Sequence, residues 1–207
     1  MHFPSKFIEE AVQEFEKLPG IGIKTAVRLV LHLLNEESSV TGQFSDTLRR
    51  MRDSVKFCKI CFNVSDDEIC SICSNPKRNQ QVICVVENIR DVLAIENTNS
   101  FQGVYHILGG VISPLEGIGP DDLHIETLIH RAGESDVTEI IMALNPTVEG
   151  DTTIFYLSKK LEPHNVRITS IARGVSFGGD LEYVDEMTLG RSISTRQPYE
   201  NYIIQKQ

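Results

Sequence analysis

The apolar positions follow different rhythms along the chain. From about residue 5 to 57, Phe7, Ile8, Ala11, Val12 and Phe15 recur at helical spacing, and so do Leu48, Met51 and Val55. From 82 to 172, short apolar runs alternate with amphipathic stretches. Residues 82–86, 104–108, 140–144 and 166–171 read as strands, and 91–96, 122–132 and 152–162 as the helices between them. That alternation predicts βαβ units and a mainly parallel sheet. Between these regions, residues 58–80 are cysteine-rich and too short to bury a core of their own. Beyond about 172, the Gly178-Gly179 pair between 175–177 and 181–184 predicts a hairpin, and a short helix is expected around 185–193. The expected fold class is a multi-segment α+β chain. Its divisions are 1–57 helical, 58–80 a cysteine module, 81–172 an α/β domain with a mainly parallel sheet, and 173–207 a short hairpin and helix segment. Tandem repeats and low-complexity stretches are absent.

Charge refines this picture. The 207 residues carry a formal net charge of -9, which at first argues against a nucleic-acid partner. The distribution weakens that objection. Residues 1–57 hold eight basic and eight acidic side chains, and 58–80 hold three of each. The whole acidic surplus therefore lies in 81–207. A neutral module can bind phosphate while an acidic one keeps the chain soluble. No run is long and apolar enough to span a bilayer. The first sixteen residues include Glu9, Glu10, Glu14 and Glu16, unlike a secretory or mitochondrial leader. The expected location is cytoplasmic, with no membrane partner.

Leu18-Pro19-Gly20-Ile21-Gly22-Ile23-Lys24-Thr25-Ala26 is the first motif with chemical content. The two glycines permit a tight turn between helices and expose amides at the start of the second helix. That helix end carries partial positive charge and suits a phosphate oxygen. At 100° per residue, Lys24, Thr25, Arg28, His32 and Asn35 share one arc of the helix. Ala26, Val27, Leu29, Val30, Leu33 and Leu34 fill the other. The motif resembles a helix-hairpin-helix. That resemblance implies that Gly20, Gly22 and Lys24 approach the DNA backbone, that Arg28 extends the contact, and that base sequence is not read. An ordinary helical hairpin with a solvated basic face, or one reused for oligomerisation, is the alternative. Arg49, Arg50, Arg52 and Lys56 form a second basic stretch, for which a solvated face is at least as good a reading.

Cys58-x-x-Cys61 and Cys70-x-x-Cys73 are two thiol pairs separated by eight residues. Each pair can place two thiolates on one tetrahedral ion, and the short loop brings the pairs together. Four thiolates leave no open coordination position, so the expected cofactor is one structural Zn2+ per chain. A redox dithiol or two disulfides are the rivals, and a reducing compartment disfavours disulfides. The fifth cysteine, Cys84, sits in an apolar run and reads as a core residue.

The run 82–86 ends in Glu87, and 140–144 ends in Asn145-Pro146-Thr147-Val148-Glu149-Gly150-Asp151. Sites in open parallel sheets form outside the carboxyl ends of the strands. Glu87, Glu149 and Asp151 can meet there, and such a cluster can hold Mg2+ through one or two carboxylates plus water; acids merely exposed on loops are the alternative. The pattern resembles a Toprim domain, in which a first strand ends in a catalytic Glu and a later one in an Asp-x-Asp pair. Glu87 matches the first. Asn145-Pro146-Thr147 puts neutral oxygens where two carboxylates belong, which weakens any case for phosphoryl-transfer chemistry. Weak Mg2+ binding stays open.

The order of these motifs, with Tyr105-His106-Ile107-Leu108-Gly109-Gly110, Ser113-Pro114-Leu115-Glu116-Gly117-Ile118-Gly119-Pro120 and Gly178-Gly179-Asp180-Leu181-Glu182-Tyr183, resembles the RecR family of bacterial recombination mediators over about residues 5–196. The resemblance implies a non-catalytic DNA-binding protein that forms a homodimer or a homotetrameric ring. It implies work with RecO and RecF to load RecA onto gapped DNA in recombinational repair after DNA damage. It also implies subunit contacts through the helix-hairpin-helix and the C-terminal segment, and partner proteins facing the Toprim domain. The alternative is a Mg2+-dependent Toprim nuclease or topoisomerase-like enzyme, a reading that rests on Glu87, Glu149 and Asp151.

Overall fold

The computed structural model describes residues 3–134 and 136–198. The chain divides into two compact units, one ending at Val55 and the other beginning at Lys56.

The first unit consists of α1 (Lys6–Glu16), α2 (Ile23–Asn35) and α3 (Ser38–Ser54). Helical spacing brings Val12 of α1 against Ala26 and Val30 of α2, and these three are buried beneath Ile8, Ala11, Phe15, Ile21 and Val27. The turn between the helices closes through Leu18 N–H to Phe15 O and Ile21 N–H to Leu18 O. Gly20 adopts φ 77°, a left-handed conformation that favours glycine. Helix α3 buries none of its side chains. Its Val40, Phe44, Leu48 and Met51 fall on an exposed stripe at helical spacing.

The second unit opens with a small antiparallel ribbon, β1 (Lys56–Phe57) with β2 (Val64–Ser65). A four-stranded sheet follows: β3 (Asn79–Val86), β4 (Gly103–Ile107), β5 (Glu139–Met142) and β6 (Arg167–Ser170). The strand order is β4-β3-β5-β6. Every pairing is parallel, with Val85 opposite both His106 and Met142. Helices α4 (Ile89–Asn97), α5 (Ile125–Glu134) and α6 (Val148–Leu161) connect the strands.

Alternation along the strands builds two cores. Ile83, Val85, Val104, Ile140 and Met142 pack with Leu128 of α5 and Leu157 of α6. Cys84, Val86, Tyr105 and Ile107 pack with Val92 of α4 on the other face. Cys84 is thus the core residue its apolar run suggested. At α4, Asn88 Oδ1 accepts from Arg90 N–H while Asp91 Oδ2 accepts from Asn88 N–H, which fixes the helix start just beyond β3.

The expected C-terminal hairpin does not form. Gly178 does turn, with φ 83°, but residues 181–184 are not a strand. Tyr183 N–H bonds to Asp180 O and Val184 N–H to Leu181 O. These i→i+3 bonds satisfy the backbone locally and leave nothing for a ladder. Helix α7 (Glu186–Ser194) then starts at Asp185, whose Oδ1 accepts from Thr188 N–H at 2.8 Å. Among the described residues, no helix is long and apolar enough to cross a membrane.

Candidate functional site

The four cysteine sulfurs all lie within 4.8 Å of one another. Cys61 Sγ and Cys70 Sγ are 3.5 Å apart. A tetrahedral ion with Zn–S bonds of about 2.3 Å spaces its sulfurs by about 3.8 Å, so the donor set fits Zn2+. The loops are shaped for the purpose. Cys58 N–H bonds to Asn63 O, Phe62 N–H to Cys58 O and Ser74 N–H to Cys70 O. Cys73 N–H approaches Cys70 Sγ at 3.5 Å. Left to themselves, the crowded thiols do not ionise together: hydrogen bonds from Cys61 and Cys73 favour the Cys70 thiolate. Cys61 is pushed far up by its Cys70 hydrogen bond, then by Cys73 and by burial. A divalent cation supplies the charge that lets all four deprotonate.

The knot is fastened to the sheet. Ile107 N–H on β4 donates to Cys61 O at 2.9 Å. Phe62, held at φ 64°, lays its ring on His124 with centroids 3.6 Å apart and planes 7° from parallel. His124 Nδ1–H donates to Ile107 O, and His106 Nε2–H donates to His124 O at 2.8 Å. Burial pushes His106 down to about 4, so its ring is neutral.

In the first unit, Gly20, Gly22, Lys24 and Arg28 are all exposed. A Cβ added at Gly20 or Gly22 would meet nothing within 4 Å, so the bend is open to a ligand. Gly22 is the N-cap of α2, no side chain caps the helix, and its first turn carries no acid. The first intrahelical bond is Ala26 N–H to Gly22 O, at 3.0 Å. The amides ahead of it face outward beside Lys24, and Arg28 lies one turn along. Arg49, Arg50 and Arg52 are exposed on α3.

At the carboxyl ends of the strands, Glu87 and Asn145 meet: Asn145 Nδ2–H donates to Glu87 Oε2 at 2.9 Å. Glu87, Glu149 and Asp151 are not placed to share an ion. Among the described residues, the four cysteines are the one group of three or more His, Cys, Asp or Glu placed to share an ion. Arg173 takes Asp151 away, with Nη1 3.0 Å from Oδ2 and Nη2 2.5 Å from Oδ1. That guanidinium holds the Asp151 carboxyl below its ordinary range. Glu149 stays part-buried in the first turn of α6. That turn is set by Thr147, whose Oγ1 accepts from Gly150 N–H at 3.0 Å. A Cβ on Gly150 would stand 2.1 Å from Asn145 O, so the helix start requires glycine there.

Arg173, Phe62 and His124 went unnoticed in the sequence. An aromatic directly after a metal-ligating cysteine was a usable hint for Phe62. Nothing in the local pattern marks the other two.

Family models match in the order of the chain: the RecR helix-hairpin-helix over residues 8–52, the RecR four-cysteine zinc finger domain over 55–75, the Toprim domain over 81–172 and the RecR C-terminal region over 174–197. Recombination protein RecR of Cytophaga hutchinsonii is 56% identical over 201 residues, covering 97% of this chain and 98% of that one. The chain belongs to the RecR family. Other RecR proteins agree. That of Bacteroides fragilis is 54% identical over 197 residues, 95% of this chain and 96% of its own. That of Flavobacterium johnsoniae is 54% identical over 200 residues, 97% of each. The RecR zinc-finger match spans Cys58, Cys61, Cys70 and Cys73, and with the sulfur geometry it assigns one structural zinc to the chain. The RecR helix-hairpin-helix match covers Gly20 to Arg28.

Proposed function

We propose that the protein is a recombination mediator in DNA repair: a cytoplasmic DNA clamp and adaptor that performs no chemistry of its own. The relatives' shared name, recombination protein, supports the role. The observation that carries DNA binding is the uncapped, acid-free start of α2, with exposed Lys24 and Arg28 beside it. Outward amides and two cations suit a phosphate chain and carry no base readout. Gly20 and Gly22 admit the backbone closely, and Lys24 and Arg28 supply charge.

Exposed apolar side chains support assembly into a homodimer or homotetramer. Val40, Phe44, Leu48 and Met51 line α3, and Phe177, Leu181, Tyr183, Met187 and Ile193 are exposed in the C-terminal segment. The helix-hairpin-helix of 1–57 and the segment 173–207 then serve oligomerisation, with the zinc module of 58–80 and the Toprim domain of 81–172 between them in the chain. A ring multiplies weak phosphate contacts, so a few cations per subunit suffice. RecO and RecF are the expected protein partners, with RecA loading on gapped DNA as the outcome.

The strand ends support a role without chemistry. Glu87 is engaged by a neutral amide and Asp151 by Arg173, so no cluster of free carboxylates awaits Mg2+ among the described residues.

Fluorescence anisotropy on labelled oligonucleotides tests the reading. Binding should be sequence-independent, fall steeply with salt, and drop about tenfold or more in the folded Lys24→Glu, Arg28→Glu double variant. Unchanged affinity in that variant removes these residues from the interface. Mg2+-dependent nicking of supercoiled DNA that disappears in Glu87→Ala would replace the adaptor with an enzyme. Light scattering with and without DNA reads the assembly.

A further inference from the structure

β4 is an edge strand, with β3 as its single neighbour in the sheet. Its outer edge hydrogen-bonds to other parts of the chain. Ile107 N–H reaches Cys61 O at 2.9 Å, and Tyr105 O accepts from Arg131 Nη1–H at 2.7 Å. Residues two apart on a strand direct their backbone groups to the same side. The cysteine knot and Arg131 therefore stand side by side along one edge. Arg131 comes from α5 and is part-buried. Among the described residues no carboxylate pairs with it; its hydrogen bond is to a neutral carbonyl. Burial lowers its pKa, and the four sulfur ligands, Cys73, Cys61, Cys58 and Cys70, work in the opposite direction. His106 also lies in its field, and is buried and neutral.

We propose that Arg131 is the counter-charge of the zinc centre. One divalent ion bound by four thiolates leaves two excess negative charges beside an apolar core, which is costly without compensation. A guanidinium held by the Tyr105 carbonyl removes half of that excess. The same side chain would otherwise be a cation without an anion. Each group thus accounts for the other, and the α/β domain contributes to zinc affinity without supplying a ligand. Groups outside a metal's own ligands act in this way through the field they impose on it.

Substitutions that separate charge from hydrogen bonding test this in the full-length protein. Arg131→Gln can still donate to Tyr105 O but is neutral, whereas Arg131→Lys keeps the charge. The readout is Zn2+ retained against increasing concentrations of a chromophoric chelator, with circular dichroism at saturating Zn2+ as the check on folding. Arg131→Gln should lose zinc about tenfold more readily than the parent, and Arg131→Lys within about threefold of it. A Cys73→His background lowers the excess charge by one, so the Arg131→Gln penalty should shrink there, as expected of a direct charge coupling. Equal penalties in both backgrounds assign Arg131 a packing role and overturn the proposal, as does parental zinc retention in Arg131→Gln. If the Gln variant does not fold even at saturating Zn2+, the Lys variant decides. Near-parental retention supports the counter-charge, and a tenfold loss overturns it.

Discussion

Asn145 and Glu87 are joined across the carboxyl ends of β5 and β3, the amide Nδ2–H reaching the carboxylate Oε2 at 2.9 Å. An amide in this position meets a carboxylate without needing a cation between them. Asn145→Asp replaces attraction with like-charge repulsion and creates a pair suited to Mg2+. The variant should lose about 1 kcal/mol of stability in metal-free buffer, roughly 3 °C in Tm, and recover it at millimolar Mg2+. Thermal melts of parent and variant, with and without Mg2+, check this; a variant indifferent to Mg2+ would show that the loops cannot admit the ion.

Gly150 fixes the approach of α6 to the Asn145 carbonyl. A methyl group placed 2.1 Å from that oxygen must displace backbone, since no flexible side chain is there to yield. Gly150→Ala should cost about 2 kcal/mol or more, despite alanine's better helix propensity. Chemical denaturation measures it. A stabilised variant would mean that α6 can slide outward freely.

The zinc centre sustains the start of the second unit. Cys70→Ser removes one of the four thiolates, and bound zinc should fall from about one per chain to near none. The stack of Phe62 on His124 loses its anchor with it. Stability should drop on the order of 4 kcal/mol, roughly 10 °C in Tm. Metal analysis and a melt on the same sample test both halves. A variant that loses zinc and keeps its Tm would detach the knot from the fold.

His106 makes stability pH-dependent. Burial lowers its pKa from 6.5 to about 4, and the nearby Arg131 works in the same direction. The unfolded histidine takes up a proton near pH 6.5, so between those values the unfolded state binds more protons. Stability is therefore complete above pH 6.5 and declines as pH falls toward 4, by up to about 3 kcal/mol from this group. His106→Phe should flatten that part of a Tm-against-pH curve. An equal slope in the variant would assign the acid sensitivity to other groups, the cysteines first among them.

Much of this was legible along the chain. The strand and helix rhythm from 82 to 171 survives because β3, β4 and β5 carry buried apolar side chains and a helix lies in each connection between strands. Cys58 to Cys73 were legible because zinc ligands come as pairs of fixed spacing. The bend at Gly20 and Gly22 and the exposed helix face with Lys24 and Arg28 were legible because a bend followed by an amphipathic helix leaves a local signature. The contacts that tune the strand ends left no such trace. Arg173 and Asp151 are 22 residues apart, and Glu87 and Asn145 are 58 apart. Distances of that kind are set by packing, and no period in the sequence records them. The 181–184 segment misled for the opposite reason. Its turn residues were read correctly, but no neighbouring strand stands ready to receive it.

The hydrogen bond between Ile107 and Cys61 also bears on how individual copies keep apart. A strand with one side unfilled invites another chain to add itself, the first step toward fibrous stacking. Here the plug is a loop that holds its shape through a metal. Starving the protein of that metal would strip the lid from the seam, so scarcity of zinc would be felt as loss of colloidal good behaviour.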